Sequence, residues 1–120
     1  MDDAITRTVD AYFAMWNEPD KARRAERIAE AWAEDCRYAD PLFEAKGYTG
    51  LSAMVAGVHA RFPGHRFSRA GRIDAHHDQV RFAWELADAE GKIAAAGIDV
   101  GELAPDGRLR RIAGFFEDAA

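Results

Sequence analysis

The chain has 120 residues, 48% hydrophobic and 31% charged, which is typical of one globular domain covering residues 1–120. Its net charge of −5, from 16 basic and 21 acidic residues, argues against nucleic-acid binding, which needs clustered Lys and Arg. The single cysteine excludes an internal disulfide and a cysteine zinc site. The first residues do not resemble a signal peptide and no apolar run could span a bilayer, so we expect a cytoplasmic protein without membrane, metal or cofactor.

Two helices are predicted in the first third of the chain. Apolar residues recur at helical spacing over residues 5–16 and again over residues 25–32. Asp20 precedes the second stripe and is a good N-cap. We expect this second helix to end at residues 34–35.

A short strand and a third helix follow. Residues 36–40 read as a strand that ends at Pro41, because proline cannot donate to a sheet ladder. Residues 42–48 are predicted to be a loop. A third apolar stripe then begins at Thr49 or Gly50 and stops at residues 63–64.

The second half of the chain changes to a period of two, which predicts strands over residues 67–74, 80–86, 92–103 and 108–117. The turn at residues 76–78 contains two histidines and an aspartate, but adjacent strand residues point to opposite faces, so we interpret it as an exposed turn rather than a metal site. Helices followed by a strand meander predict an α+β domain, with the helices on one face of a strongly curved antiparallel sheet. The open end of such a cone can form a pocket.

Two aspartates occupy apolar strand sequence, Asp40 before Pro41 and Asp99 between Ile98 and Val100. An inward-facing carboxylate without a partner is costly in such surroundings, so the pair indicates a small-molecule pocket with acid/base chemistry. Each has a simpler interpretation. Asp40 could accept backbone hydrogen bonds in a turn, and Asp99 could face solvent or pair with an arginine, Arg72 or Arg111.

The element order, the Asp40-Pro41 step and the late run 97–99 followed by a turn at 106–107 resemble the NTF2-like superfamily. The SnoaL-like and ketosteroid-isomerase-like branches are most similar, and the resemblance covers residues 4–117. It implies a cone-shaped fold. By position, Asp40 matches the proton-shuttling base of the isomerases, whereas Asp99 and Tyr12 match their oxyanion hole.

The resemblance leaves the reaction open, because Asp99 also matches the acid/base aspartate of SnoaL-type polyketide cyclases. Gly114 stands near a position where the epoxide hydrolases of the superfamily need an aspartate, so that activity is disfavoured. The function expected is proton transfer next to a carbonyl of a small apolar organic ligand. The alternative is a non-catalytic binding or assembly module, since fold does not fix function.

Further side chains are predicted to line the pocket, most of them apolar and drawn from the first and third helices and the last strands: Trp16, Met54, Val58, His59, Phe82, Trp84, Ile112 and Phe116. His59 lies one step off the helical stripe and is interpreted as a boundary residue. Members of this superfamily commonly dimerise through the outer sheet face, so a homodimer is expected.

Overall fold

The structure is a computed structural model and describes residues 3–117. It contains three helices on one side of a curved, six-stranded sheet, so the α+β cone predicted from the sequence is confirmed. The elements in chain order are α1 (Asp3–Asn17), α2 (Lys21–Ala31), β1 (Trp32–Ala39), β2 (Glu44–Lys46), α3 (Gly47–Arg61), β3 (Arg66–His76), β4 (Gln79–Ala87), β5 (Ile93–Leu103) and β6 (Leu109–Phe116).

The strands lie in the order β2-β1-β6-β5-β4-β3. Neighbouring strands are antiparallel except β1 and β6, which pair in parallel, for example at Tyr38 opposite Ile112. Within the predicted antiparallel sheet this one parallel pair is a finding of the structure. This pairing positions the candidate site, because it places the carboxyl end of β1, with Asp40 just beyond it, beside Gly114 in β6.

The sheet bends where its ladders shift register. The β3–β4 ladder is interrupted between Ala70 and Asp74, and Gly71 takes a φ of +85° there, which glycine adopts without steric penalty. On the concave side, Gly97 lets the Trp84 ring lie directly on β5, since a Cβ at that position would come within 2.7 Å of the indole. Trp84 thereby becomes a wall of the cone.

One predicted helix boundary agrees with the structure, two differ, and one short strand was not predicted. Asp20 is the N-cap of α2, its carboxylate accepting from the Arg23 amide at 2.9 Å. The predicted end of α2 at residues 34–35 is wrong, because β1 already begins at Trp32. The predicted loop 42–48 contains the short strand β2 and the start of α3 at Gly47, two residues earlier than the earliest predicted start.

The apolar stripe of α1 packs into the sheet together with α3, and the core is rich in aromatic contacts. The Tyr12 ring meets the ring of Phe82 edge-to-face at 5.5 Å, and Trp16 meets Tyr38 at 5.6 Å. Among the helices of the described range, none is both long and apolar enough to cross a membrane.

Candidate functional site

An internal cavity of ≈ 90 Å³ lies between α1, α3 and the concave face of the sheet. It opens toward Leu42 and Phe116, whose side chains are 57% and 40% exposed. Its walls are mainly aliphatic and aromatic, and two tyrosines and two aspartates bring hydroxyl and carboxyl groups to them. The lining residues are Tyr12, Phe13, Trp16, Tyr38, Asp40, Leu42, Phe43, Val58, Phe62, Phe67, Trp84, Leu86, Ala95, Asp99 and Phe116.

Asp99 lies in the middle of β5 and points into this cavity, with only 3% of its surface exposed. Its cross-strand neighbours are Phe82 on β4 and Gly114 on β6. The Tyr12 hydroxyl donates to Asp99 Oδ2 at 2.6 Å, within the buried interior. Asp99 therefore faces inward, and its polar partner is a tyrosine rather than an arginine.

Burial is the main reason why the pKa of Asp99 rises from 3.8 to about 7, because the charged carboxylate is poorly solvated there. The negative charge of Asp40 raises it further, whereas the Tyr12 hydrogen bond lowers it. The Trp84 indole N–H also lowers it from nearby, but without the geometry of a full hydrogen bond. Asp99 is therefore a carboxyl group that both holds and releases a proton near neutral pH.

Burial and the neighbouring carboxyl charge also raise the pKa of the Tyr12 hydroxyl well above its ordinary value. Tyr12 consequently remains a hydrogen-bond donor at all physiological pH values. Helix α1 carries Tyr12 directly over Asp99, so the tyrosine lies in the cavity wall.

Asp40 follows the end of β1 at the mouth of the cavity and is partly exposed. Its Oδ1 accepts from the amides of Leu42 and Phe43, each at 2.8 Å, which fixes the turn around Pro41. Its Oδ2 accepts from the Tyr38 hydroxyl at 2.5 Å. Asp40 thus stabilises the turn and also presents a carboxylate to the cavity.

Tyr38 is the polar lining residue that sequence reasoning missed. It stands two positions before Asp40, and in a strand this spacing places both side chains on one face. The spacing of two residues between Tyr38 and Asp40 could therefore have predicted that Tyr38 faces the cavity. Burial and the charges of Asp99 and Asp40 raise the pKa of the Tyr38 hydroxyl, so it too remains protonated.

The two tyrosine–aspartate pairs meet above Gly114. A Cβ built on Gly114 would lie 3.0 Å from Asp99 Oδ1, 3.2 Å from Asp40 Cβ and 3.3 Å from Tyr38 Oη. The two carboxyl groups, 59 positions apart in sequence, therefore lie close together in the wall of the same cavity. A substrate atom in that cavity can be approached by both carboxyl groups.

The structure divides the other predicted lining residues into two groups. Trp16, Val58, Trp84 and Phe116 line the cavity, together with the three predicted catalytic residues. Met54, His59, Phe82 and Ile112 do not.

Each of these four has another environment. Met54, Phe82 and Ile112 are core residues beneath the cavity, since the helix and strand faces that carry them pack directly against other elements. His59 reaches from α3 to α1, where its Nε2 donates to the Trp16 carbonyl oxygen at 2.6 Å. Further cavity walls come from residues that sequence reasoning did not single out, chiefly Phe13, Phe43, Phe62, Phe67 and Leu86.

Within residues 3–117, no three His, Cys, Asp or Glu side chains converge as metal ligands do. The cavity presents two carboxyl groups, one buried and one partly exposed, and two protonated tyrosine hydroxyls. Its other walls are apolar. Such a set can bind a small oxygen-bearing molecule and exchange protons with it.

Comparison with known proteins agrees with this architecture. A family model of the SnoaL-like domain matches residues 9–112. One solved structure, provisionally described as an isomerase of the SnoaL-like family from Agrobacterium tumefaciens, is 38% identical with a TM-score of 0.91. That match covers 98% of this chain and 100% of that one.

Two more distant structures share the fold alone. An NTF2-like protein of unknown function from Exiguobacterium sp. 255-15 is 19% identical, with a TM-score of 0.73, over 93% of this chain and 99% of that one. A provisionally described SnoaL-like polyketide cyclase from Jannaschia sp. CCS1 is 17% identical, with a TM-score of 0.69, over 93% and 86%. No protein of curated function matches. Because the family model spans residues 9–112, most of the chain, and the Agrobacterium structure is 38% identical over 98% of it, the chain belongs to the SnoaL-like family.

Proposed function

We propose that this protein catalyses proton transfer at a carbon atom next to a carbonyl group in a small, largely apolar organic substrate. The observation that carries the proposal is the buried Tyr12–Asp99 pair, 2.6 Å apart, bordering the same space as Asp40. Two carboxyls whose environments differ this much can serve as acid and base at the same pH. The apolar walls favour a substrate with few polar groups.

In the proposed step Asp40 is the base. Its carboxylate takes a proton from the carbon, so the C–H bond breaks, an O–H bond forms, and the electron pair moves toward the carbonyl oxygen. Protonated Asp99 donates a hydrogen bond to that oxygen, and Tyr12 holds Asp99 in place through Oδ2. Return of the proton to another carbon gives isomerisation. Attack of the enolate on a second carbonyl gives cyclisation.

The cavity can enclose only part of a single ring. Its ≈ 90 Å³ is smaller than the roughly 150 Å³ of an apolar cavity that accepts benzene, so a ring would project in part through the mouth beside Leu42 and Phe116. Exchange of the α-protons of cyclohexanone in deuterium oxide, followed by proton NMR, tests the proposal. We expect the protein to accelerate exchange above the buffer rate. An unchanged rate for every cyclic ketone of similar size would contradict it.

The second candidate is a non-catalytic ligand-binding module. One observation favours it: three donors, the Tyr38 hydroxyl and the amides of Leu42 and Phe43, already occupy the Asp40 carboxylate. A protein of this kind would bind cyclohexanone without exchanging its protons. Binding measured by NMR titration beside the exchange assay therefore separates the two functions.

We also propose that two copies of the chain associate through the outer face of the sheet. Phe115 on β6 is 59% exposed there and pairs across strands with Ile98. This exposed aromatic side chain beside a second apolar one is the feature of the outer face that supports the proposal. We expect a dimer in sedimentation equilibrium, converted to monomer by Phe115→Glu but not by Leu42→Glu at the cavity mouth. A monomeric wild-type chain at micromolar concentration would contradict this.

A further inference from the structure

Arg24 on α2 is a charged side chain that the fold buries, with 4% of its surface exposed. Its Nε donates to Ser52 Oγ at 3.0 Å, and its Nη1 donates to the carbonyl oxygens of Glu18 at 2.9 Å and Pro19 at 3.4 Å. All three acceptors are uncharged. No ion pair within residues 3–117 includes Arg24. The guanidinium is therefore buried without a counter-charge, which is costly unless an anion joins it.

The free side of this guanidinium faces a groove of ≈ 440 Å³ between α2 and α3, which Arg24 helps to line. Its Nη2 has no acceptor among the described residues, yet it is not one of the unpartnered atoms that are sealed from solvent. Two N–H groups of the guanidinium are thus available to a ligand in the groove. Lys21 brings a second positive charge to the groove, and none of its described lining residues is acidic.

The first turn of α2 has the opposite charge to that which a helix favours there. The amide end of a helix carries partial positive charge and is stabilised by acidic residues. Here the first turn contains Lys21, Arg23 and Arg24 and no acidic residue. Asp20 caps the helix, but its carboxylate accepts from the Arg23 amide and forms no ion pair with Arg24. In a chain of net charge −5, this local excess of positive charge favours an anionic ligand.

We propose that the groove between α2 and α3 binds the carboxylate of a small organic acid that carries a short apolar chain. The carboxylate would accept from Arg24 Nη2 beside the Lys21 ammonium group, because a guanidinium matches the planar geometry of a carboxylate. The apolar chain would lie on the small and aliphatic side chains of the groove: Ala25, Ile28, Ala53 and Ala56. None of the groove residues lines the cavity of Asp99, so this site is separate from the proposed catalytic site.

Hexanoate and hexanamide are the probes, since they have the same chain and nearly the same shape but differ in charge. Binding is measured by NMR titration of ¹⁵N-labelled protein at pH 7 and low ionic strength, where exposed charges are least screened. Shifts of the Ala25 and Ala53 amides distinguish binding in the groove from binding in the cavity. The site variants are Arg24→Gln and Ala53→Glu. The matched control is Ala60→Glu, at an exposed position of α3 outside the groove.

We expect the wild type and the control to bind hexanoate in the groove about tenfold or more tightly than hexanamide, the effect of a charge-assisted hydrogen bond. Arg24→Gln removes the charge, and Ala53→Glu places a competing carboxylate in the groove, so each should bring the two dissociation constants close together. Ala53→Glu leaves the Arg24 side chain in place and decides the question if Arg24→Gln does not fold.

Three results would overturn the inference. The first is that hexanoate does not shift the groove amides of the wild type, or binds there no more tightly than hexanamide. The second is an unchanged preference for hexanoate in a folded site variant, which would leave Arg24 as a structural tie between α3 and the segment before α2. The third is tighter binding of inorganic phosphate than of hexanoate, because the apolar walls would then contribute nothing.

Discussion

Asp40→Asn is expected to lower the rate of ketone proton exchange by roughly 10²–10⁴-fold, the usual contribution of a positioned general base. The amide retains an oxygen that can accept from the main chain at Leu42 and Phe43, so the turn around Pro41 should persist. The variant loses the negative charge and the basicity that proton abstraction needs. The measurement is deuterium incorporation into cyclohexanone by proton NMR, at saturating ketone and pH 6.

Asp78→Asn is the matched control, because it replaces a carboxylate in the exposed turn between β3 and β4, outside the cavity. Circular dichroism of both variants checks that the fold is intact. If folded Asp40→Asn exchanged protons as fast as the wild type, Asp40 could not be the base. The main-chain hydrogen bonds of its turn would then be its whole role.

The stability of the protein is expected to depend strongly on pH, because the Asp99 carboxyl group ionises at a different pH in the folded and the unfolded chain. In the folded chain this carboxyl keeps its proton up to about pH 7, whereas in the unfolded chain it releases it near pH 3.8. Between these values the folded state binds more protons, so the free energy of unfolding falls as the pH rises. The loss begins above about pH 4 and is complete above about pH 7. For a group that is almost fully buried, a pKa shift of this size corresponds to a loss of on the order of 4 kcal/mol in the free energy of unfolding.

Asp99→Asn removes this dependence, because an amide does not ionise while its oxygen can still accept from Tyr12. Urea unfolding at pH 4.5 and pH 8 should show the wild type losing several kcal/mol relative to the variant. Other titrating groups are common to both proteins and cancel in the comparison. Parallel pH profiles for the two proteins would contradict the raised pKa of Asp99.

Much of the fold is predictable from the sequence, since hydrophobic period and caps are local signals. The stripe on α1, the Asp20 cap and the alternation along β4 each follow from residues close in the chain. The parallel pairing of β1 with β6 is different. It joins segments more than 70 residues apart, and no local pattern specifies which strand edge β1 will occupy. The strand β2 has only three residues, too few for a period to be visible.

The candidate site is predictable only in part, because its contacts join segments that are far apart in the chain. The strand period places Asp99 on the same face as Gly97 and Gly101, and that face is buried, so its inward direction follows once the register is known. The contact of Tyr12 with Asp99 depends on how α1 is placed over the sheet. The meeting of both tyrosine–aspartate pairs above Gly114 depends on the β1–β6 pairing, which the sequence does not specify.

The central claim is that Asp99 is a buried carboxyl group beside the Tyr12 hydroxyl, and that it keeps its proton up to about pH 7. Direct titration of its side-chain carbon by NMR, in protein labelled with ¹³C-aspartate and assigned through Asp99→Asn, tests it most simply. We predict a midpoint near pH 7, and a higher midpoint in Tyr12→Phe, because the Tyr12 hydrogen bond lowers the pKa of Asp99. A wild-type midpoint below about pH 5, close to the ordinary aspartate range, would contradict the account.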